Sequence, residues 1–385
     1  MSRPTLLDGI CAVNKPPGKS SAQVIRDLQS ILTSSRLFAS ESPVERAHSH
    51  HSGTHFRRRD GKVHRPRVKI GHGGTLDPMA TGVLVLGLGN GTKLLHNFLN
   101  CTKTYEATVM FGAATDSYDT DGKILKRASC AHLTQSKVAE ALSAFRGKIM
   151  QRPPLYSALK MDGKRLCDYA REGKEIPREI AKRSVVVDDL QLIEWLPPGT
   201  HSFRLPLDDA DTESREIAEN VLGLGDFHTA SAETATTNEG KFSEEITGSK
   251  RRRLSGASDD HVVKQRRSSK SIGQADDGEN KTGENQVTGI TRIATNPDRT
   301  PTPEVNPPAA RLRMTVSSGF YVRSLAHDVG EAVGSLACMC DLVRTRQAIF
   351  ELGSNVLGYE DFHQSEDVWV GKLREVLRKD IQLER

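Results

Sequence analysis

Between about residue 206 and residue 308 this chain offers almost nothing to fold around. Phe227 and Phe242 are the only aromatics of that stretch, and Ser, Thr, Glu, Asp, Asn and Lys dominate it. Such a composition buries too little apolar surface to offset the entropy of an ordered chain, which predicts a disordered insertion with at most a short helix near 213–222. A fold for these 385 residues must therefore be assembled from the sequence on either side. An apolar content of only 36% agrees with a chain that is partly unpacked.

A second stretch, 34–67, also loses apolar periodicity. It carries His48, His50, His51, His55 and His64 among Arg57, Arg58, Arg59, Arg65 and Arg67. Positive charge without pattern predicts a basic insertion, which could touch phosphate or simply be solvated. Within the larger insertion, Lys250–Arg253 and Lys264–Arg267 are two basic clusters spaced like a bipartite nuclear import signal or an RNA contact. A charged, solvated linker accounts for them equally well.

The remaining blocks alternate between strand and helix patterns. Residues 9–14 read as a buried strand and Lys15–Lys19 as a Pro/Gly turn. Ser20 or Ser21 can cap a helix whose apolar positions Val24, Ile25, Leu28, Ile31 and Leu32 share one face. Strands are predicted at 83–86, 105–111 and 184–195, with an acidic turn at 116–121. Helices are predicted at 134–146 and 164–172. After Arg311 the pattern gives a strand through Leu312, Met314 and Val316. A helix at 322–333 follows, then a strand at 342–352 and a helix at 367–378. Periodicity alone supports an α/β (α+β) class, and no internal repeat is present.

Composition excludes several classes. The six cysteines have no framework spacing, which fits free thiols, and Cys338-x-Cys340 without a second Cys or His pair is weak evidence for zinc. No apolar run reaches the ~18 residues of a membrane span, and the N-terminus lacks a signal-peptide hydrophobic region. A net charge of +5 permits a polyanionic partner.

The densest motif lies at 71–94. Val83–Leu86 followed by Gly87-Leu88-Gly89-Asn90-Gly91-Thr92-Lys93 looks first like a strand and a phosphate loop. The order is wrong for a Walker A motif, and no βαβ series follows. The run Gly71-His72-Gly73-Gly74-Thr75-Leu76-Asp77-Pro78-Met79-Ala80-Thr81-Gly82-Val83-Leu84 instead closely resembles the active-site motif of the TruB-type pseudouridine synthases. Further blocks match in order: Lys15-Pro16-Pro17-Gly18-Lys19-Ser20-Ser21, Lys103–Ala107, Phe145–Gly147, Gln151–Arg165, Ser317–Leu325 with Asp328–Gly330, and Leu342–Thr345. The resemblance covers roughly 9–33, 68–195 and 311–358. Asn14 and the Gly73-Gly74-Thr75 wording depart from the bacterial pattern. With the long insertions they suggest a eukaryotic, fungal-type branch.

That resemblance implies a pseudouridine-synthase core, an extended and largely antiparallel sheet flanked by helices with a central cleft. It would be built from 1–33, 68–205 and 311–385, interrupted by 34–67 and 206–310; the roughly thirty residues after the last matched strand are too few for a PUA domain, so none is expected. It implies Asp77 as the catalytic carboxylate, acting as a nucleophile at C1′ or a base at C2′. Arg323 would pair with Asp77 and hold it ionised and aimed. Tyr105 would stack on the extruded uracil, Tyr321 would line the same pocket, and His72 would fill the space the base leaves. Lys15 and Lys19 would sit near the site or the RNA backbone, with Leu342 and Arg344 in pocket wall and core. The implied substrate is the T stem-loop of tRNA at uridine 55, with some messenger RNA as a further candidate. The enzyme would be monomeric, would need neither metal nor cofactor, and would work in the nucleus or mitochondrion. Two alternatives stay open: the catalytic subunit of a guide-RNA-dependent H/ACA particle, and a non-catalytic tRNA-binding or folding protein.

Overall fold

The strand patterns on both sides of the long insertion meet in one sheet. The computed structural model describes residues 7–35, 68–174, 176–212, 215 and 306–378, and these fall in one compact unit. The elements in the first half are β1 (Gly9–Lys15), α1 (Ser21–Ser34), β2 (Ile70–His72), β3 (Thr81–Leu88), α2 (Leu95–Leu99), β4 (Lys103–Phe111), β5 (Ala113–Thr115) and β6 (Ile124–Arg127). There follow α3 (Gln135–Ala141), β7 (Gly147–Gln151), β8 (Lys160–Met161), β9 (Lys164–Arg165), α4 (Leu166–Arg171), β10 (Arg183–Leu196), β11 (Ala309–Val316), α5 (Val322–Ala332), β12 (Ala337–Gln347), β13 (Phe350–Glu351), β14 (Leu357–Gly358) and α6 (Glu366–Val376).

Ten strands form one mixed sheet in the order β14-β1-β3-β12-β4-β11-β10-β7, with β2 paired to β3 and β13 to β12. Neighbours are antiparallel except β1/β14 and β3/β12, which are parallel. The long insertion separates β10 from β11, yet these two strands pair with each other from Val187↔Val316 to Leu196↔Ala309.

Burial explains why β1 and β3 read as continuous apolar runs. Cys11, Val13, Leu84 and Leu86 pack under α1 and α6, while Ile10, Ala12, Val83 and Val85 face Leu95, Phe98 and Phe350. Both faces of these strands are covered, so alternation disappears. The other half of the sheet carries a separate core. There α5 lays Val322, Leu325, Ala326, Val329 and Val333 against Ala107, Val109, Leu312, Met314 and Met339. Helix α1 starts where Ser20 accepts a hydrogen bond from the Gln23 amide at 3.1 Å, a side-chain N-cap.

Three sequence expectations differ in detail. The helix expected at 134–146 becomes α3 plus a 3-10 turn over Leu142–Phe145, because Gly147, at φ +77°, turns the chain into β7. The helix expected at 164–172 loses its first two residues to a β8/β9 hairpin, whose Asp162-Gly163 turn has φ of +49° and +83°. An Asp-Gly pair is a hairpin signal that outweighs the helical period there. The strand expected at 342–352 starts earlier, at Ala337, and breaks at Ala348, which has φ +51°. Most of both insertions, with the helix near 213–222, lies outside the described residues.

The Gly-rich run after β3 is not an open phosphate cradle. It forms a 3-10 turn over Gly89–Leu94, and the Asp8 carboxylate already takes the Gly91 amide at 3.0 Å and the Asn90 side-chain amide at 2.8 Å. Gly91 is required for packing, since a Cβ there would lie 1.9 Å from the Gly9 carbonyl oxygen.

Candidate active site

Asp77 lies in the segment that joins β2 to β3. It lines a cavity of about 200 Å³ together with Thr75, Leu76, Tyr105, Ser157, Tyr321 and Leu342, among others. Arg323, in the first turn of α5, reaches across to it. Arg323 Nε stands 2.9 Å from Asp77 Oδ2, and Nη2 donates to Oδ1 at 3.1 Å. Two parallel contacts fix the orientation of the carboxylate as well as its distance. The arginine side chain is 7% exposed and the aspartate 31%. The buried guanidinium thus holds a more exposed carboxylate, and both residues line the cavity.

The rest of the guanidinium is also committed. Nη1 donates to the Ser117 carbonyl at 2.9 Å and lies 3.5 Å from Asp119 Oδ2, and Nη2 also donates to the Tyr156 carbonyl at 2.9 Å. Arg323 thus joins the Asp77 segment, the 117–119 turn and the 152–157 segment. Asp119 is buried, and burial raises its pKa from the ordinary 3.8 to about 6, against the pull of Arg323 and a hydrogen bond from the Ser117 hydroxyl.

The segment carrying Asp77 is held from beneath by β12. Buried Arg344 donates from Nε to the Val83 carbonyl at 2.6 Å and from Nη2 to the Gly74 carbonyl at 3.2 Å. Gln347, with no exposed surface, donates from Nε2 to the Gly73 carbonyl at 2.6 Å and the Phe98 carbonyl at 2.8 Å. The parallel β3/β12 contact makes this possible, and it depends on Gly82. That residue has φ +100°, and a Cβ there would lie 2.2 Å from the Arg344 carbonyl oxygen.

Tyr105, on β4, is buried opposite Arg344 and Met314 and lines the cavity. Tyr321 precedes α5 and also lines it. Its backbone is clamped by buried Gln151, which accepts from the Tyr321 amide at 2.7 Å and donates to its carbonyl at 2.9 Å. The Ser324 hydroxyl donates to the Arg152 carbonyl at 2.7 Å, so β7 and α5 hold each other at two adjacent points.

His72 sits on β2 opposite Leu86 and does not line the cavity. Its half-buried ring has a lowered pKa, first through burial and then through the Arg344 cation. Lys15 differs from a loop cation turned toward RNA. Its side chain is fully buried, and Nζ donates to the carbonyls of Pro16 at 2.7 Å, Lys19 at 2.6 Å and Pro78 at 2.9 Å. It therefore staples the Pro/Gly turn to the residue after Asp77, and burial lowers its pKa to about 8. Lys19 is half-exposed and pairs with Asp27 at 2.8 Å, and Tyr359 donates its hydroxyl to the same carboxylate at 2.7 Å.

Sequence reasoning missed Asp119, Gln151 and Gln347 as parts of this site. Asp119 was visible only as one member of an acidic turn, and a single glutamine carries no pattern. Among the described residues no group of three His, Cys, Asp or Glu side chains could hold a metal ion, and no helix is long and apolar enough to cross a membrane.

A carboxylate aimed into a tyrosine-walled cavity by a buried arginine marks a candidate active site. Comparison with known proteins gives the family. Residues 62–209 match the model of the TruB family pseudouridylate synthase N-terminal domain. The chain is 39% identical over 382 residues to the tRNA pseudouridine synthase 4 of Schizosaccharomyces pombe, covering 97% of this chain and 86% of that protein. It is 34% identical to the tRNA pseudouridine synthase 4 of Saccharomyces cerevisiae, covering 96% and 85%. The chain belongs to the TruB family of pseudouridine synthases. Among solved structures, a Cbf5-Nop10-Gar1 complex aligns with 97% of this chain and 60% of that chain, at 17% identity and a TM-score of 0.46.

Proposed function

We propose that this chain isomerises uridine to pseudouridine in the T loop of tRNA, at position 55, with Asp77 as the catalytic residue. The observation that carries the reading is the bidentate hold of buried Arg323 on Asp77 at the wall of the cavity that Tyr105 and Tyr321 share. The long relatives in two yeasts, both named as tRNA pseudouridine synthases, supply the substrate class.

The reaction breaks the N1–C1′ bond, turns the base and forms a C5–C1′ bond. C5 gives up its proton and N1 takes one, so the product is an isomer and no oxidant or co-substrate enters. Asp77 can act in two ways, by attack at C1′ or by removing the C2′ proton. Arg323 serves as its positioning residue. Tyr105 offers a face for the extruded uracil to stack on, and Tyr321 closes the same pocket. His72 would enter the space left in the RNA, and Lys19 would lie near the backbone.

On this reading the protein works as a monomer on bare transcript, with no guide RNA, metal or cofactor, and some messenger RNA is a second substrate. The clusters at 250–253 and 264–267 would serve nuclear import, with the mitochondrion a second compartment. The test is Asp77→Asn on an unmodified tRNA transcript with chemical mapping of pseudouridine. Conversion should be lost while tRNA binding stays within a few-fold, and full conversion by the variant would refute the assignment. Deuterium at C2′ separates the two chemistries, since only proton removal gives a primary isotope effect.

A further inference from the structure

The guanidinium of Arg323 is taken up by Asp77, Asp119 and two backbone carbonyls before any substrate arrives. The polar recognition of a nucleotide in this cavity must therefore come largely from other groups. Among the polar side chains that line it, Tyr156 directs its hydroxyl toward Asp116 at 3.5 Å. Ser157 is different. It is 4% exposed, it lines the cavity, and its Oγ is buried with no hydrogen-bond partner among the described residues. The other buried side-chain atoms without a partner, such as His72 Nδ1, Thr108 Oγ1 and Gln347 Oε1, belong to residues that do not line this cavity.

A buried hydroxyl left unpaired is unfavourable, and such a group in a cavity wall is expected to gain its partner from what fills the cavity. The backbone around Ser157 is firmly placed. Its amide donates to the Leu155 carbonyl at 3.0 Å, its carbonyl accepts from the Cys167 amide at 3.1 Å, and the preceding carbonyl is the one Arg323 holds. The peptide that carries the hydroxyl is thus one guanidinium nitrogen away from the Asp77 carboxylate.

We propose that the Ser157 hydroxyl is a substrate-binding group that hydrogen-bonds a polar atom of the uridine held in the cavity. The inference rests on the reading of the cavity as a uridine pocket. A hydroxyl is small, and it can donate to a base carbonyl or exchange a hydrogen bond with a ribose hydroxyl. A site built to pair with a substrate polar group loses discrimination when that pairing goes, whereas a hydroxyl that never finds a partner is better absent.

The two cases predict opposite results, which makes Ser157→Ala decisive. With purified full-length protein and an unmodified tRNA transcript, we expect Ser157→Ala to lower kcat/KM by about 10- to 50-fold. Its melting temperature should equal or exceed that of the wild type. Ser157→Cys, close in volume but a weak donor, should lose nearly as much, and Ser157→Thr should recover much of the loss. Transcripts with 4-thiouridine or 2′-deoxyuridine at the target locate the partner. The cost of Ser157→Ala should shrink on whichever RNA lacks the accepting group. Ser157→Ala within about twofold of the wild type, or Ser157→Cys as active as the wild type, would overturn the inference. A wild-type protein inactive on the transcript would instead sink the uridine-pocket reading itself.

Discussion

Replacing Asp119 with asparagine should make the protein more stable and a poorer enzyme at neutral pH. The carboxylate is buried, and its pKa rises from 3.8 to about 6 mainly because burial penalises the charged form. The folded chain therefore binds this proton more tightly than the unfolded chain does. The associated stability is fully present below about pH 3.8 and is lost as pH rises through about 6. Above that range, holding Asp119 ionised costs ~3 kcal/mol relative to its neutral form. Asparagine has nearly the same shape and can still accept from the Ser117 hydroxyl and from the Asp121 amide, which stands 3.1 Å from Asp119 Oδ1. What it gives up is the contact with Arg323 Nη1, which is long at 3.5 Å. Arg323 keeps Asp77, so its charge is not orphaned, and exchanging the second buried carboxylate for a neutral group should yield a net ~1–3 kcal/mol. The same charge helps hold the guanidinium that aims Asp77, so turnover should fall. In the wild type, activity should drop as pH falls through about 6, and Asp119→Asn should remove that limb while lowering the plateau roughly tenfold. The assay is chemical denaturation and single-turnover pseudouridine formation, both from pH 5 to 8. A variant that is less stable than the wild type at pH 7.5, or that retains a limb near pH 6, would refute the reasoning.

Two further outcomes follow from the same geometry. Gly82→Ala must push apart β3 and β12, because its Cβ would meet the Arg344 carbonyl at 2.2 Å in a backbone of φ +100°. We expect a loss of ~3 kcal/mol or more, read as a fall in the urea midpoint, with pseudouridine formation lost in the fraction that stays folded. Lys15→Met removes three donors from the Pro16, Lys19 and Pro78 carbonyls but also a buried charge whose pKa is lowered to about 8. The two effects offset, so stability should change by less than about 2 kcal/mol while kcat falls more than KM rises, measured by steady-state kinetics beside thermal unfolding.

The sequence makes legible what is contiguous or periodic. The buried face of α1, the core face of α5 and the run from Gly71 to Leu84 are local patterns, and each occupies a clear place in the fold. Sheet order is another matter. Nothing local says that β3 and β12 pair in parallel, since their contact joins Thr81 to Val343. Several contacts hidden from the sequence share one property: the partner is remote and lies on the backbone. Gln151 clamps residue 321, Gln347 reaches Gly73, and Arg323 reaches the Ser117 carbonyl. Backbone acceptors leave no trace in residue identity, so no motif can announce them. Lys15 shows the converse. A cation in a Pro/Gly turn invites an outward reading, yet the turn's own carbonyls point inward and capture Nζ.

The arrangement separates holding from reading. Arg323, Arg344 and Lys15 direct their charge to the protein itself: Arg323 to Asp77, Arg344 to the Val83 and Gly74 carbonyls, and Lys15 to the Pro16, Lys19 and Pro78 carbonyls. This places a cluster of buried cations behind a carboxylate whose open side faces the cavity. Cations spent in this way cannot also grip phosphate, so the RNA backbone has to be met by exposed residues farther out. Salt should consequently act on the two functions unequally. Raising ionic strength weakens exposed contacts to phosphate steeply but barely screens charges buried beneath the sheet. Between about 50 and 200 mM salt, KM for tRNA should climb by an order of magnitude or more while single-turnover rate at saturating enzyme stays nearly constant. A single-turnover rate that fell in step with affinity would mean that one of the buried cations contacts the RNA after all.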